Sequence, residues 1–187
     1  MSMNKNLRKL VIMGVLTAIS IVLIMIIRFP IIPAAPMMEY EPSDIPIIIG
    51  GLIFGPVSGI ILAVVTAFIQ FATVSSGSGW IGLIMHVIAA VVLVSVSASV
   101  YKFKKTTGGL LVGLVLGTIA MTAVMIPANL VFYPLFTGMP VSAVKELIVP
   151  VLLPFNLIKA GLNSVVTFLI FKAIGKLLTS IANNSRY

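Results

Sequence analysis

The sequence has no cysteine, a single histidine and only four acidic residues among its 187 positions. Without cysteine there is no disulfide framework, thiolate ligand or thiolate nucleophile, and one histidine, His86, cannot build a centre that needs several. Charged side chains make up 9% of the chain, against about a quarter of an ordinary soluble domain. So little charge excludes a water-soluble globule.

Apolar side chains dominate instead, at 60% of the residues. Runs such as residues 87–94 are apolar at every position, whereas a membrane β-barrel needs segments of about ten residues with alternating polarity. A helical crossing takes about 20 apolar residues. The composition therefore predicts an all-α integral membrane protein, with residues 1–187 forming a single domain.

Hydropathy and helix-breaking residues divide the chain into six predicted spans. We split the apolar stretch 45–74 at Gly55-Pro56, because proline cannot extend an unstrained helix and glycine tolerates a turn. The positive-inside rule places the basic N-terminus and the basic loop after residue 101 in the cytoplasm, so an even number of crossings separates them. The predicted spans are residues 7–27, 45–54, 57–74, 80–101, 109–133 and 150–173, with both termini cytoplasmic.

The net charge of +8 does not indicate a nucleic-acid partner. The basic residues flank apolar runs and form no stripe on a folded surface. Their placement is typical of a protein oriented in a lipid bilayer.

The predicted external segment, residues 28–44, is unusually stiff and apolar for a connection. It carries Pro30, Pro33, Pro36 and Pro42 among apolar neighbours, where an ordinary connector is polar and flexible. The segment either packs down over the spans or lies along the bilayer surface as a rigid linker. The sequence leaves both arrangements open.

Polar side chains inside the last predicted span are the strongest functional signal. Asn156, Lys159 and Asn163 stand at i, i+3 and i+7, on one stripe of a helix that Thr167 extends. An ionisable group at the bilayer centre costs at least about 2.5 kcal/mol on insertion scales. Asn129 in the fifth span lies at a similar depth. These residues predict an inward-facing, hydrated surface.

This stripe has two interpretations. In the first it is a polar clasp, whose side chains bond only to neighbouring helices. In the second it lines a ligand cavity: no acidic residue lies in any predicted span to pair with Lys159, so a ligand, or water held with it, would supply the partner. Carboxamides with one amine suit a neutral, flat heterocycle that offers carbonyl acceptors and an N–H edge.

Other polar residues in the spans give weaker signals. We expect His86 to be a neutral, hydrogen-bonded core residue, and we leave open whether Gln70 and Thr73 contact a ligand. The sequence has no Gly-x-Ser-x-Gly motif, no pair of aspartates in the spans and no phosphate-binding glycine loop. We therefore expect no enzymatic activity, no metal and no cofactor.

Two pairs of small residues at four-residue spacing permit close helix approach. Gly14 and Ala18 lie in the first span, and Gly113 and Gly117 lie in the fifth. Packing within the bundle is the default for each pair. A pair on the first span that faces outward would instead recruit a partner protein.

Together these features resemble a known family, the substrate-binding S components of energy-coupling-factor (ECF) vitamin transporters, and in particular the riboflavin-specific S components. The resemblance covers essentially the whole chain. Its motifs are a basic N-terminus running into LVIMGVLTAIS, the proline-rich EYEPSDIPIIIGGLIFGPVSG, and PFNLIKAGLNSVVTF in the last span.

The resemblance implies a subunit of a bacterial cell membrane that captures riboflavin from outside, with the vitamin as cargo and no cofactor of its own. Transport would require a transmembrane coupling subunit and two ATP-hydrolysing subunits. The family's Ala-x-x-x-Ala contact with the coupling subunit matches Gly14 and Ala18 here. An S component for another neutral heterocycle, and a structural or assembly subunit, remain the alternatives.

The resemblance also implies a set of ligand contacts. Four come from the spans and three from the external segment that closes over the vitamin. They are Asn129, Asn156, Lys159 and Asn163, with Met38, Glu39 and Tyr40.

Overall fold

Helices account for nearly all of the regular structure in the part of the chain that the structure, a computed structural model, describes: residues 4–33, 35–36, 38–74 and 76–183. The helices are α1 (Lys5–Ile26), α2 (Asp44–Phe54), α3 (Pro56–Thr73), α4 (Gly79–Phe103), α5 (Thr107–Thr137), α6 (Val141–Leu147) and α7 (Leu153–Asn183). A 3-10 turn (Ser76–Ser78) precedes α4, and a π turn (Ile148–Leu152) joins α6 to α7. The fold is all-α, as the composition predicts.

Five helical stretches in the described residues are long and apolar enough to cross a membrane. They are α1, α3, α4, α5 and the continuous stretch Val141–Ser180. Helix α2 is apolar but has only 11 residues. The protein is therefore a multi-pass membrane protein.

Helices α2 and α3 are separated by a single residue, Gly55. Its φ of 91° lies in the left-handed region, which favours glycine. Pro56 follows as the first residue of α3, where its missing N–H costs no helical bond. The two helices then pack so closely that a Cβ on Gly59 would lie 3.0 Å from the Cα of Gly51.

Three helix ends differ clearly from the predicted spans. Helix α5 continues through Pro134 to Thr137, because one proline near a helix end removes only one backbone bond, and it stops at Gly138, whose φ is 73°. Pro150, the predicted start of the last span, instead lies in the π turn, and α7 continues to Asn183. Proline is a weaker boundary in these apolar helices than the sequence analysis assumed.

The core centres on α4 and α5, which pack through small residues. A Cβ on Gly113 would lie 2.7 Å from the carbonyl oxygen of Ser97, and one on Gly117 would lie 2.9 Å from that of Leu93. This pair of glycines therefore packs inside the bundle. Gly14 and Ala18 on α1 are exposed, and a Cβ on Gly14 would meet nothing within 4 Å.

The segment between α1 and α2 folds back over one end of the bundle. Phe29–Pro30 (β1) pairs antiparallel with Glu39–Tyr40 (β2), and described residues between and beside the strands pack on α5, α6 and α7. Ala35 and Met38 are buried there with Tyr133, Val144 and Phe155. Of the two arrangements considered for the segment, the structure has the packed one.

Candidate ligand-binding site

A cavity with an empty volume of about 1020 Å³, counting its open mouth, lies beneath the β1–β2 segment. Helices α3, α4, α5 and α7 supply most of its wall. Much of the surface is apolar, from side chains that suit the faces of a flat ligand: Met38, Phe71, Met85, Met121, Met125, Phe136 and Phe155. Ligand cavities are commonly mostly apolar, with a few well-placed polar groups.

Lys159 has a protein partner, and the expectation that it lacks one is wrong. Its Nζ lies 3.0 Å from Oε1 of Glu41, and both side chains are largely buried, with 12% and 8% exposed. The acid was missed because only residues inside the predicted spans were considered as partners. Glu41 comes from the chain between β2 and α2. The signal available was a cluster of acids, Glu39, Glu41 and Asp44, in an otherwise apolar segment.

Glu41 is the centre of a buried polar network at the cavity wall. Its Oε1 also lies 3.0 Å from Nδ1 of His86, and its Oε2 accepts a hydrogen bond of 3.0 Å from Nε2 of Gln70. Burial alone would raise the pKa of the Glu41 carboxyl, but the Lys159 ammonium and the His86 ring outweigh it and hold that pKa well below its usual range. Glu41 is therefore a carboxylate at neutral pH.

His86 and Gln70 both contribute to the cavity wall. His86 is hydrogen-bonded, as expected of a core histidine, but its Nε2 is buried with no hydrogen-bond partner among the described residues. Thr73, which the sequence left open together with Gln70, bonds to the carbonyl oxygen of Ile69 in its own helix and is not among the residues of the cavity wall.

Asn129 on α5 and Asn156 on α7 both line the cavity. Each amide donates to a carbonyl one turn back in its own helix, Asn129 to Met125 at 2.6 Å and Asn156 to Leu152 at 2.7 Å. The fully buried Oδ1 of Asn129 has no partner among the described residues. Because buried polar atoms are nearly always hydrogen-bonded in native proteins, this oxygen indicates a place for a ligand or water donor.

Asn163 and Tyr40 lie behind the cavity wall. Asn163 Nδ2 donates to the backbone oxygen of Glu41 at 3.2 Å and to Oδ2 of Asp44 at 3.1 Å. The Tyr40 hydroxyl donates to Oδ1 of Asn163 at 3.0 Å. These bonds fasten the segment before α2 to α7 and fix the position of Glu41.

The mouth of the cavity carries a second ion pair, between Arg28 and Glu39. Arg28 Nε donates to Oε2 of Glu39, and its Nη1 donates to the backbone oxygen of Val74 at 3.1 Å. The two side chains are 32% and 30% exposed. Arg28 therefore ties the end of α1 and strand β2 to the end of α3.

The structure thus gathers five of the seven predicted contacts at one cavity. Asn129, Asn156, Lys159, Met38 and Glu39 line it, whereas Tyr40 and Asn163 support it from behind. No group of three or more residues suited to hold a metal occurs in the described residues.

A bundle of apolar helices around a buried, partly polar cavity defines a membrane protein that binds a small solute. The chain belongs to the family of substrate-specific components of ECF transporters, because the model of that family matches residues 8–171. The resemblance noted from the sequence is thereby confirmed.

Individual relatives agree with this membership. The riboflavin transporter FmnP of Bacillus subtilis is 35% identical over 174 residues, which cover 89% of this chain and 91% of FmnP. The riboflavin transporter RibU of Streptococcus thermophilus is 28% identical over 184 residues, which cover 94% and 87%. A solved S component of a bacterial ECF transporter superimposes with a TM-score of 0.76 at 31% identity, covering 91% of this chain and 96% of that one.

Proposed function

We propose that this protein is the riboflavin-binding subunit of an ECF transporter, which captures the vitamin from outside a bacterial cell and passes it inward. Two relatives that each match more than four fifths of the chain are riboflavin transporters. Family membership supplies the class of protein. The cavity supplies the chemical argument for the ligand.

The observation that carries the proposal is the polar wall deep in the cavity. Lys159 offers N–H donors there, and Asn129 offers an acceptor that has no partner among the described residues. The isoalloxazine ring presents carbonyl oxygens on either side of an imide N–H, which is the complementary pattern. In the proposed pose the imide N–H donates to Asn129 Oδ1 and a carbonyl oxygen accepts from Lys159, while methionine and phenylalanine side chains cover the faces of the ring.

The charge of the cavity favours a neutral ligand. Among the described residues of its wall, Lys159 is matched by Glu41 and Arg28 by Glu39. A cationic vitamin would find no unpaired carboxylate, and an anionic one would find no unpaired cation. Riboflavin, uncharged at neutral pH, meets both conditions.

The proposed orientation has six crossings with both termini in the cytoplasm of a bacterial cell. The β1–β2 segment and the cavity mouth then face outward. Lys102, Lys104 and Lys105, at the opposite end of α4, face the cytoplasm, in agreement with the positive-inside rule. The short helix α2 counts as a crossing because its residues are almost entirely buried against its neighbours and not exposed to lipid.

Transport requires partners under this proposal. The exposed Gly14 and Ala18 would let a transmembrane coupling subunit approach α1 closely. Two ATP-hydrolysing subunits would supply the energy, so this subunit binds its cargo without chemical change.

The absorbance spectrum of the freshly purified protein tests the proposal. We expect yellow protein with flavin absorbance, and quenching of flavin fluorescence when riboflavin is added to protein freed of ligand. Colourless protein that quenches no added flavin would favour the structural subunit. Displacement of flavin by a different neutral heterocycle at lower concentration would favour an S component for that compound.

A further inference from the structure

The Arg28–Glu39 pair lies where the tail of the proposed ligand ends. If the ring binds at Asn129 and Lys159, the ribityl chain extends toward the mouth, whose charged side chains are those of Arg28 and Glu39. A phosphate on that chain would be a dianion at neutral pH. It would rest at the mouth, because burying a dianion deeper in the cavity costs far more.

Arginine at a cavity mouth would ordinarily favour phosphate. Its planar fork of N–H donors matches phosphate oxygens, often through two parallel bonds. Here Nε bonds to Glu39 and Nη1 to the carbonyl oxygen of Val74, so the charge of Arg28 is matched and part of its fork is engaged. A phosphate that bonds to the remaining N–H groups of Arg28 would lie beside the Glu39 carboxylate, which repels it.

We propose that Glu39, by neutralising Arg28, makes the site select free riboflavin over its 5′-phosphate ester. Glu39 is thus a specificity-determining residue. The inference rests on the proposed function and extends it to the discrimination between a vitamin and its phosphorylated form. The discrimination depends on the charges of Arg28 and Glu39, since the contacts to the ring are the same for both ligands.

Two substitutions with opposite charge change test the inference. Glu39→Gln removes the negative charge and frees Arg28, and Arg28→Gln removes the positive charge and leaves Glu39. Flavin fluorescence quenching measures the dissociation constant of each ligand. The quantity compared is the dissociation constant of the ester divided by that of riboflavin. Glu146→Gln is the matched control, an exposed acid on α6 outside the cavity wall.

The expected shifts have opposite signs. Exposed ion pairs contribute up to about 1 kcal/mol, so Glu39→Gln should lower the ratio about three- to fivefold and Arg28→Gln should raise it by a similar factor. Glu146→Gln should leave it unchanged. Loss of local structure alone would move the ratio in the same direction in both variants. That result, or no change in either, would overturn the inference.

Salt dependence of the wild-type protein gives an independent measurement if a variant fails to fold. With Arg28 neutralised, the ratio should change little between about 50 and about 500 mM NaCl. A ratio that rises steeply with salt would mean that a free cation attracts the phosphate, and would overturn the inference. Failure of the wild type to bind riboflavin at all would overturn the proposed function as well.

Discussion

Replacing Lys159 with methionine separates its role in folding from its role in binding. The substitution keeps an unbranched apolar stem, one atom shorter, and removes the ammonium, which lies 3.0 Å from the Glu41 carboxylate. The Glu41 side chain is 8% exposed. Breaking a buried ion pair from one side costs about 3–5 kcal/mol. Because His86 and Gln70 still donate to Glu41, we expect the lower end, about 3 kcal/mol of unfolding free energy.

The same substitution should weaken riboflavin binding by about ten- to a hundredfold. A hydrogen bond from a charged donor contributes about 1.5–3 kcal/mol, and each 1.4 kcal/mol is about a factor of ten. Thermal melting in detergent measures the first effect and flavin fluorescence quenching the second. Lys145→Met on the exposed face of α6 is the control for loss of one positive charge.

Adding Glu41→Gln to Lys159→Met removes both charges of the pair. The double variant should recover most of the stability, because no uncompensated charge remains buried, but its riboflavin affinity should stay low. Recovery of both properties would mean that Lys159 serves only as the partner of Glu41, and the ligand contact would be refuted. Unchanged melting of the single variant would refute the importance of the pair to the fold.

Three further predictions concern acid stability, a ligand acceptor and the two glycine pairs. Folding lowers the pKa of Glu41, so the carboxylate contributes fully to stability above pH 4.5, its usual pKa, and this contribution is lost as the pH falls toward the folded pKa. The melting temperature should therefore fall as the pH drops below about 4.5, and it should fall less in the Glu41→Gln variant. Asn129→Leu should weaken riboflavin binding about tenfold while leaving the melting temperature near that of the wild type, and equal affinity would remove this residue from the site. Gly14→Leu should abolish cellular uptake while riboflavin binding and the melting temperature stay unchanged. Gly117→Leu, whose new side chain would meet the backbone of Leu93, should instead lower the melting temperature by several degrees. Destabilisation by Gly14→Leu would place that face of α1 inside the bundle.

The helical architecture could be predicted because it depends on local properties of the chain. Long apolar runs identify helices without knowledge of their neighbours, and Gly55-Pro56 marks a break through backbone geometry alone. Helix ends were less predictable where a proline was involved. Pro134 and Pro150 lie inside or between helical turns, and their lost backbone bonds did not stop the chain there.

The candidate site could be predicted only in part, since its polar residues come from both local and distant positions. The stripe of Asn156, Lys159 and Asn163 follows from helical spacing alone. The pairing of Lys159 with Glu41 joins residues that are 118 positions apart, and no local pattern specifies it. The pairing of β1 with β2, which places Glu39 at the cavity mouth, likewise depends on packing of the proline-rich segment.

The polar stripe of α7 bonds to neighbouring elements at one position and lines the cavity at others, so it combines features of both arrangements that the sequence left open. Asn163 is used entirely by the protein, since both ends of its amide bond to the segment before α2. Lys159, one turn earlier, bonds to Glu41 and also lines the cavity. Asn156, a further turn toward the mouth, donates to the carbonyl oxygen of Leu152 in its own helix and lines the cavity. Because the clasp at Asn163 holds Glu41 in place, and Glu41 in turn holds Lys159, a substitution at Asn163 should weaken binding through the position of Glu41, without any contact to the ligand.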